Sequence, residues 1–170
     1  MLRVICAVLA AFVFSRAAQS KDNLQPPKLY VSKGACPFEC CTYRKWIAKQ
    51  TLGLLDRPGG AAVARIQKGE EVLGITGEVW SHPLRFRIER RAPSLPAEPD
   101  LVGATVYLLH PIGEGFWLVW YRGKVLETDP EYGGSPRYVW WAKVRLRSGR
   151  IGWVRMDVPN MPFDNVDACG

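Results

Sequence analysis

The sequence predicts an all-β protein, a small barrel opened by an inserted β-hairpin module and stapled by disulfides. Three observations carry that expectation. Short apolar runs alternate with polar residues at a period of two and are punctuated by glycine, as in Val63 to Ile75 and again in Ala142 to Val154. Beyond the N-terminal leader, no stretch shows the 3.6-residue periodicity of an amphipathic helix. Cysteines gather near the two ends of the remaining chain.

The elements follow in order. Arg3 and the apolar run Val4 to Phe14 read as a signal peptide over residues 1–20, with Ser15-Arg-Ala17 and Ala18-Gln-Ser20 as small-x-small cleavage sites. The run is too short to span a bilayer, no second one follows, and Cys6 lies too early to carry an acyl anchor. What remains is one exported domain long enough to bury a core.

Residues 21–47 form an N-terminal extension. Lys21 to Gly34, with Pro26-Pro27, is an extended lead-in, and Cys36 to Trp46 is a turn-rich cysteine knot leading into Ile47 to Leu55. The barrel is assigned to 48–157, with the insertion at about 80–137, and residues 158–170 are a tail tied back by Cys169. Asp56 to Gly60 is a loop; Ala62 to Gln67 and Glu71 to Thr76 are strands joined by a tight turn at Lys68-Gly69-Glu70.

Within the insertion, Leu84, Phe86 and Ile88 alternate with Arg85, Arg87 and Glu89, which predicts a half-buried strand with a basic outer face. Pro93, Pro96 and Pro99 make a stiff polyproline-like connector over 92–100. Thr105 to Leu109 resumes strand, and Gly113-Glu-Gly115 turns into Phe116 to Tyr121, apolar on both faces, which Arg122-Gly123 closes. Such a strand is buried twice or offers one face to a ligand. After a loop at Asp129 to Pro136, a last hairpin runs Tyr138 to Leu146, turns at Ser148-Gly149 and returns through Ile151 to Arg155.

Charge and cysteine count bound the partners. Loss of Arg3 and Arg16 with the leader takes the basic residues from 23 to 21, against 16 acidic ones. A basic exported chain favours anionic surfaces such as cell-wall polymers, and export leaves nucleic acid outside the expected partners. Stable membrane insertion is not expected either. Without Cys6 four cysteines remain, Cys36, Cys40, Cys41 and Cys169, an even number that predicts two disulfides. A bridge between neighbouring Cys40 and Cys41 strains the backbone, so one of Cys36, Cys40 or Cys41 is expected to pair with Cys169.

Leu55-Asp-Arg-Pro-Gly59, Lys68-Gly-Glu-Glu-Val72 and Gly149-Arg-Ile-Gly-Trp-Val154 occur in an order that resembles the bacterial SH3-like (SH3b) family of exported proteins. There a Lys-Gly-x-x-Val hairpin follows an Arg-x-Gly-type loop, and a Gly-x-x-Gly-Trp-Val hairpin closes the barrel. The motifs lie in two blocks, 52–76 and 138–157. The long insertion, the Gly113 to Gly123 segment and the Cys36–Cys41 knot are similar to a poorly characterised subgroup. The resemblance implies an SH3-like barrel and ligand or cell-wall binding.

The aromatic set Trp80, Trp117, Trp120, Tyr121, Trp140, Trp141 and Trp153 either packs a core or lines a groove. Trp140, in step with Ala142, Val144 and Leu146, and Trp153, in step with Ile151, are expected inside. Trp141 shares its phase with Lys143, Arg145 and Arg147 and is expected to stand outward above a basic stripe. The expected binding residues are Trp117, Tyr121, Trp141, Lys143, Arg145, Arg147, Arg85 and Arg87. The same cations also suit a plain solvated strand face.

No catalytic residue, metal or cofactor is expected. The three-residue gap between Cys36 and Cys40 is not the thioredoxin spacing, and His82 and His110 both precede proline. The expected function is non-catalytic binding of peptidoglycan or other envelope material. A structural or protein-interaction module of the envelope is the alternative, and a thiol-redox protein or hydrolase stands third.

Overall fold

The computed structural model describes residues 24–90, 101–129, 134–156 and 160–169. The leader, Cys6, the proline connector and part of the Asp129 to Pro136 loop lie outside the described residues. Those described form twelve strands and no α-helix. They are β1 (Tyr30–Lys33), β2 (Lys45–Ala48), β3 (Leu52–Leu55), β4 (Ala62–Ile66), β5 (Glu71–His82), β6 (Leu84–Arg87), β7 (Thr105–Gly113), β8 (Phe116–Tyr121), β9 (Lys124–Thr128), β10 (Arg137–Leu146), β11 (Ile151–Met156) and β12 (Phe163–Asp164).

The larger sheet runs β12-β2-β5-β10-β11-β3-β4, with β1 also paired to β5, and it curls into a half-barrel. The smaller runs β6-β7-β8-β9 and is inserted between β5 and β10. All these pairings are antiparallel.

β5 is the spine of the barrel sheet. One of its edges takes β2 and then β1, and the other pairs with β10 from Val72 to His82. A register shift opposite Lys143/Val144, where Ile75 is the extra residue on β5, bends β5 and adds twist to the curl. Two glycines on β5 let aromatic rings approach its backbone. A Cβ at Gly74 would lie 2.8 Å from Trp46, and one at Gly77 would lie 2.1 Å from the Tyr43 hydroxyl and 2.6 Å from Trp140 Nε1.

The concave face encloses the main core of Trp46, Trp140, Phe163, Leu54, Ile66, Val72, Val79 and Val144. Trp46 is its centre, with ring centroids 5.6 Å from both Phe163 and Tyr43 and 6.5 Å from Trp140. Its indole donates to the Thr42 carbonyl at 3.0 Å, so the buried polar edge is satisfied. Tyr43 accepts from Trp140 Nε1 at 3.3 Å and donates to the Ala35 carbonyl. Desolvation pushes its phenol pKa up to about 12.

The ends of the chain close one end of this core. Cys36 bridges Cys41 and Cys40 bridges Cys169. Thr42 N–H donates to the Val166 carbonyl, Ala168 N–H donates to the Cys40 carbonyl, and Arg44 donates to the Asn165 and Asp167 carbonyls. Of the three candidates for Cys169, Cys40 is the partner.

Five strands have no counterpart in the sequence reading. β1 falls within the lead-in, β2 emerges from the knot, β3 lies in the Ile47 to Leu55 stretch, β9 follows the Arg122-Gly123 turn and β12 lies in the tail. Each is short and is held by a partner distant in sequence or across a turn, so local pattern alone does not announce it.

Trp153 overturns its expected place in the core. β11 turns Gly152, Val154 and Met156 inward, and Ile151, Trp153 and Arg155 lie on the convex face. Gly152 fits the inner side because a Cβ there would come within 2.6 Å of Leu54 and the Leu55 carbonyl. Ile151 and Trp153 do share a phase, but it is the outer one. Trp140 is in the core as expected, 1 % exposed.

Candidate functional site

The inserted sheet separates two chemistries by strand alternation. On one face Phe86, Val106, Leu108 and Val119 meet Ile88 and Leu101 in a second, smaller core. On the other, Arg85 stands opposite Tyr107, and Tyr107 stands opposite Trp120. Three adjacent strands therefore place a guanidinium, a phenol and an indole in a row.

A segment that precedes β1 crosses this row. The Trp120 indole donates to the Leu24 carbonyl at 3.4 Å, the Tyr107 hydroxyl donates to the Gln25 side-chain carbonyl, and Tyr30 sets its ring edge-on to Trp120 at 6.2 Å. Partial burial holds the Tyr30 phenol above its ordinary pKa. Leu24, Gln25, Arg85, Tyr107, Trp120 and Arg122 are among the residues lining an open groove of about 470 Å³. Arg122 caps it from a left-handed turn position (φ 50°) and lies 5.0 Å above the Tyr121 ring. None of the ion pairs formed among the described residues involves Arg85 or Arg122.

The sequence-predicted site residues divide between the two sheets. Arg85 and Tyr121 line the groove, and Arg87 is exposed two residues along the Arg85 face, opposite Thr105. Trp117 is half-buried against the smaller core, away from the groove. Lys143, Arg145 and Arg147 belong to the barrel side. Lys143 lies 5.7 Å above the Trp153 ring, while Arg145 and Arg147 border a second depression of about 400 Å³ with Lys45 and Glu71, themselves paired at 3.2 Å. The five cations thus lie on two separate sheets and form no single stripe.

Trp141 does share a sheet face with Lys143, but it is not the exposed platform expected of it. It is 8 % exposed, packs against Trp80 with centroids 6.2 Å apart, and its indole N–H is buried without a hydrogen-bond partner among the described residues. Neighbouring Trp80 satisfies its own indole through Glu78, at 2.9 Å. Alternation assigns a side chain to a face, whereas burial depends on what the neighbouring large rings cover.

Sequence reasoning left Leu24, Gln25, Tyr107, Trp120 and Arg122, among other groove residues, out of its site. Tyr107 and Trp120 fall in step only through the β7–β8 register, and Leu24 and Gln25 arrive from more than eighty positions away in the chain.

Cysteine chemistry at the other end is occupied. Glu39, Cys40 and Cys169 place ligand-type atoms within 4.8 Å of one another, but both sulfurs belong to one disulfide and carry no thiolate to offer a metal. Glu39 has a raised pKa, chiefly from the neighbouring Glu114 carboxylate. No family model, curated protein or solved structure matches the chain.

Proposed function

We propose that this chain is an exported, non-catalytic binding module of the SH3-like type that engages peptidoglycan or other cell-envelope material. The observation that carries the reading is the groove on the inserted sheet, where Arg85 and Arg122 border the Tyr107 and Trp120 rings. Aromatic rings with polar handles and guanidinium groups that form no ion pair among the described residues suit ligands that combine apolar surface, carbonyls and negative charge. Two disulfides fit an oxidising compartment, and the described residues hold no helix long and apolar enough to cross a membrane. The Val4 to Phe14 leader supplies the route of export.

The test is co-sedimentation of the exported protein with purified sacculi across a salt series. Binding at low salt, falling as salt rises and lost in Trp120→Ala, supports the proposal. No sedimentation at low salt overturns it, and co-purification of one envelope protein in its place establishes the protein-interaction alternative.

A further inference from the structure

The groove on the inserted sheet already holds a piece of this chain. Trp120 and Tyr107 direct their polar hydrogens at carbonyl oxygens of consecutive residues, the main-chain oxygen of Leu24 and the side-chain oxygen of Gln25. Pro26 and Pro27 follow immediately and favour an extended backbone. The hold is shallow, with Leu24 53 % exposed.

Among the described residues of this segment, 24–29, there is no carboxylate to answer the cations beside it. Arg85 and Arg122 border the same groove as Gln25, whose amide has the shape of glutamate without the charge. A guanidinium offers a planar fork that matches a carboxylate and forms shorter, stronger hydrogen bonds with it than with a neutral amide.

We propose that the groove is a site for an extended acidic peptide, with Leu24 and Gln25 as an internal stand-in that the ligand displaces. The peptide's carbonyls take the Trp120 and Tyr107 donors, and its carboxylates take Arg85 and Arg122. The assignment rests on the reading of this face as the binding face and narrows its ligand to peptide carboxylates. Two donors already spanning consecutive residues of a polypeptide favour a peptide over a phosphate polymer, which would use only the cations. Because the stand-in is tethered, it competes at a high effective concentration and lowers the apparent affinity of any ligand from outside.

The test titrates the whole exported chain with a dye-labelled peptide of alternating alanine and glutamate, beside the same peptide with glutamine for glutamate. Anisotropy gives the affinity, and the Trp120 indole N–H resonance, identified by its loss in Trp120→Phe, gives the place. The glutamate peptide should shift that resonance and bind about tenfold more tightly than the glutamine peptide, a preference that Arg85→Gln with Arg122→Gln abolishes.

Gln25 supplies a control in both directions, since it is exposed and lies outside both cores. Gln25→Ala frees the Tyr107 donor and should tighten binding, whereas Gln25→Glu places a carboxylate beside the arginines from within and should weaken it. Equal affinity for the two peptides, an unmoved Trp120 resonance, or one direction of change for both Gln25 variants overturns the inference. Inorganic polyphosphate that displaces the peptide at matched charge, with sensitivity to Arg85 and Arg122 but not to Gln25, overturns it in favour of a phosphate polymer. Sacculus binding without a peptide response defeats this inference alone. A peptide response without sacculus binding defeats only the envelope reading.

Discussion

At the residue scale, three tryptophans on adjacent strands show how little side-chain identity says about role. Trp140 is core, Trp141 is a buried ring on the convex face, and Trp153 is a half-buried ring beneath Lys143. Removing a buried indole loses its transfer free energy and leaves a cavity, so Trp141→Ala should cost about 3–5 kcal/mol. Trp153→Ala forfeits a cation–π contact and partial burial at the surface, about 1 kcal/mol. Urea unfolding of the two variants measures the difference. A larger loss for Trp153 would return it to the core and disprove the facing described above. The orphan N–H adds a cost to keeping Trp141, which Trp141→Phe would relieve while retaining most of the ring.

At the element scale, β7 links the inserted sheet to the barrel through His110. This histidine is 1 % exposed, its ring lies 6.5 Å from that of Tyr138 on β10, and its Nδ1–H donates to the Pro111 carbonyl at 2.8 Å. Nε2 is buried without a partner among the described residues, so protonation would create a charged donor with no acceptor among them. Desolvation accordingly holds the His110 pKa below the ordinary histidine value, while the Pro111 carbonyl opposes the shift.

The unfolded chain takes up the proton first as pH falls through about 6.5, so stability is complete above that value and lost below it. The urea midpoint should therefore fall between about pH 7.5 and about pH 5.5, and His110→Leu should flatten that decline. An unchanged slope in the variant would assign the pH dependence to other groups.

At the scale of the whole molecule, the two disulfides act on the chain very differently. Cys40–Cys169 closes a sequence separation of 129 residues, and Cys36–Cys41 closes one of 5. In the loop-entropy account the long bridge stabilises by about 5 kcal/mol and the short one by about 2 kcal/mol. The paired change Cys40→Ser with Cys169→Ser should thus lower the thermal midpoint more than Cys36→Ser with Cys41→Ser. Calorimetry of both forms decides it, and the opposite order would mean that the knot, not the joined termini, stabilises the fold. The long bridge also secures β12, which brings Phe163 against Trp46.

Local chemistry in the sequence determined the all-β class, the insertion between β5 and β10, the β4–β5 turn, the Phe116 to Tyr121 strand and the last hairpin, because period-two alternation and turn glycines act over a few residues. It also determined that Trp140 lies inside and that one cysteine of the knot reaches Cys169. Tertiary structure alone decided which faces are covered, which cations share a surface and what lies in the groove. Arg85, Tyr107 and Trp120 meet through ladder register, Leu24 and Gln25 reach Tyr107 and Trp120 across more than eighty positions of chain, and Trp141 is buried beside Trp80 despite its outward phase. Alternation tells a side chain which way to point; only the packed neighbours decide whether it then meets solvent, a partner or another ring.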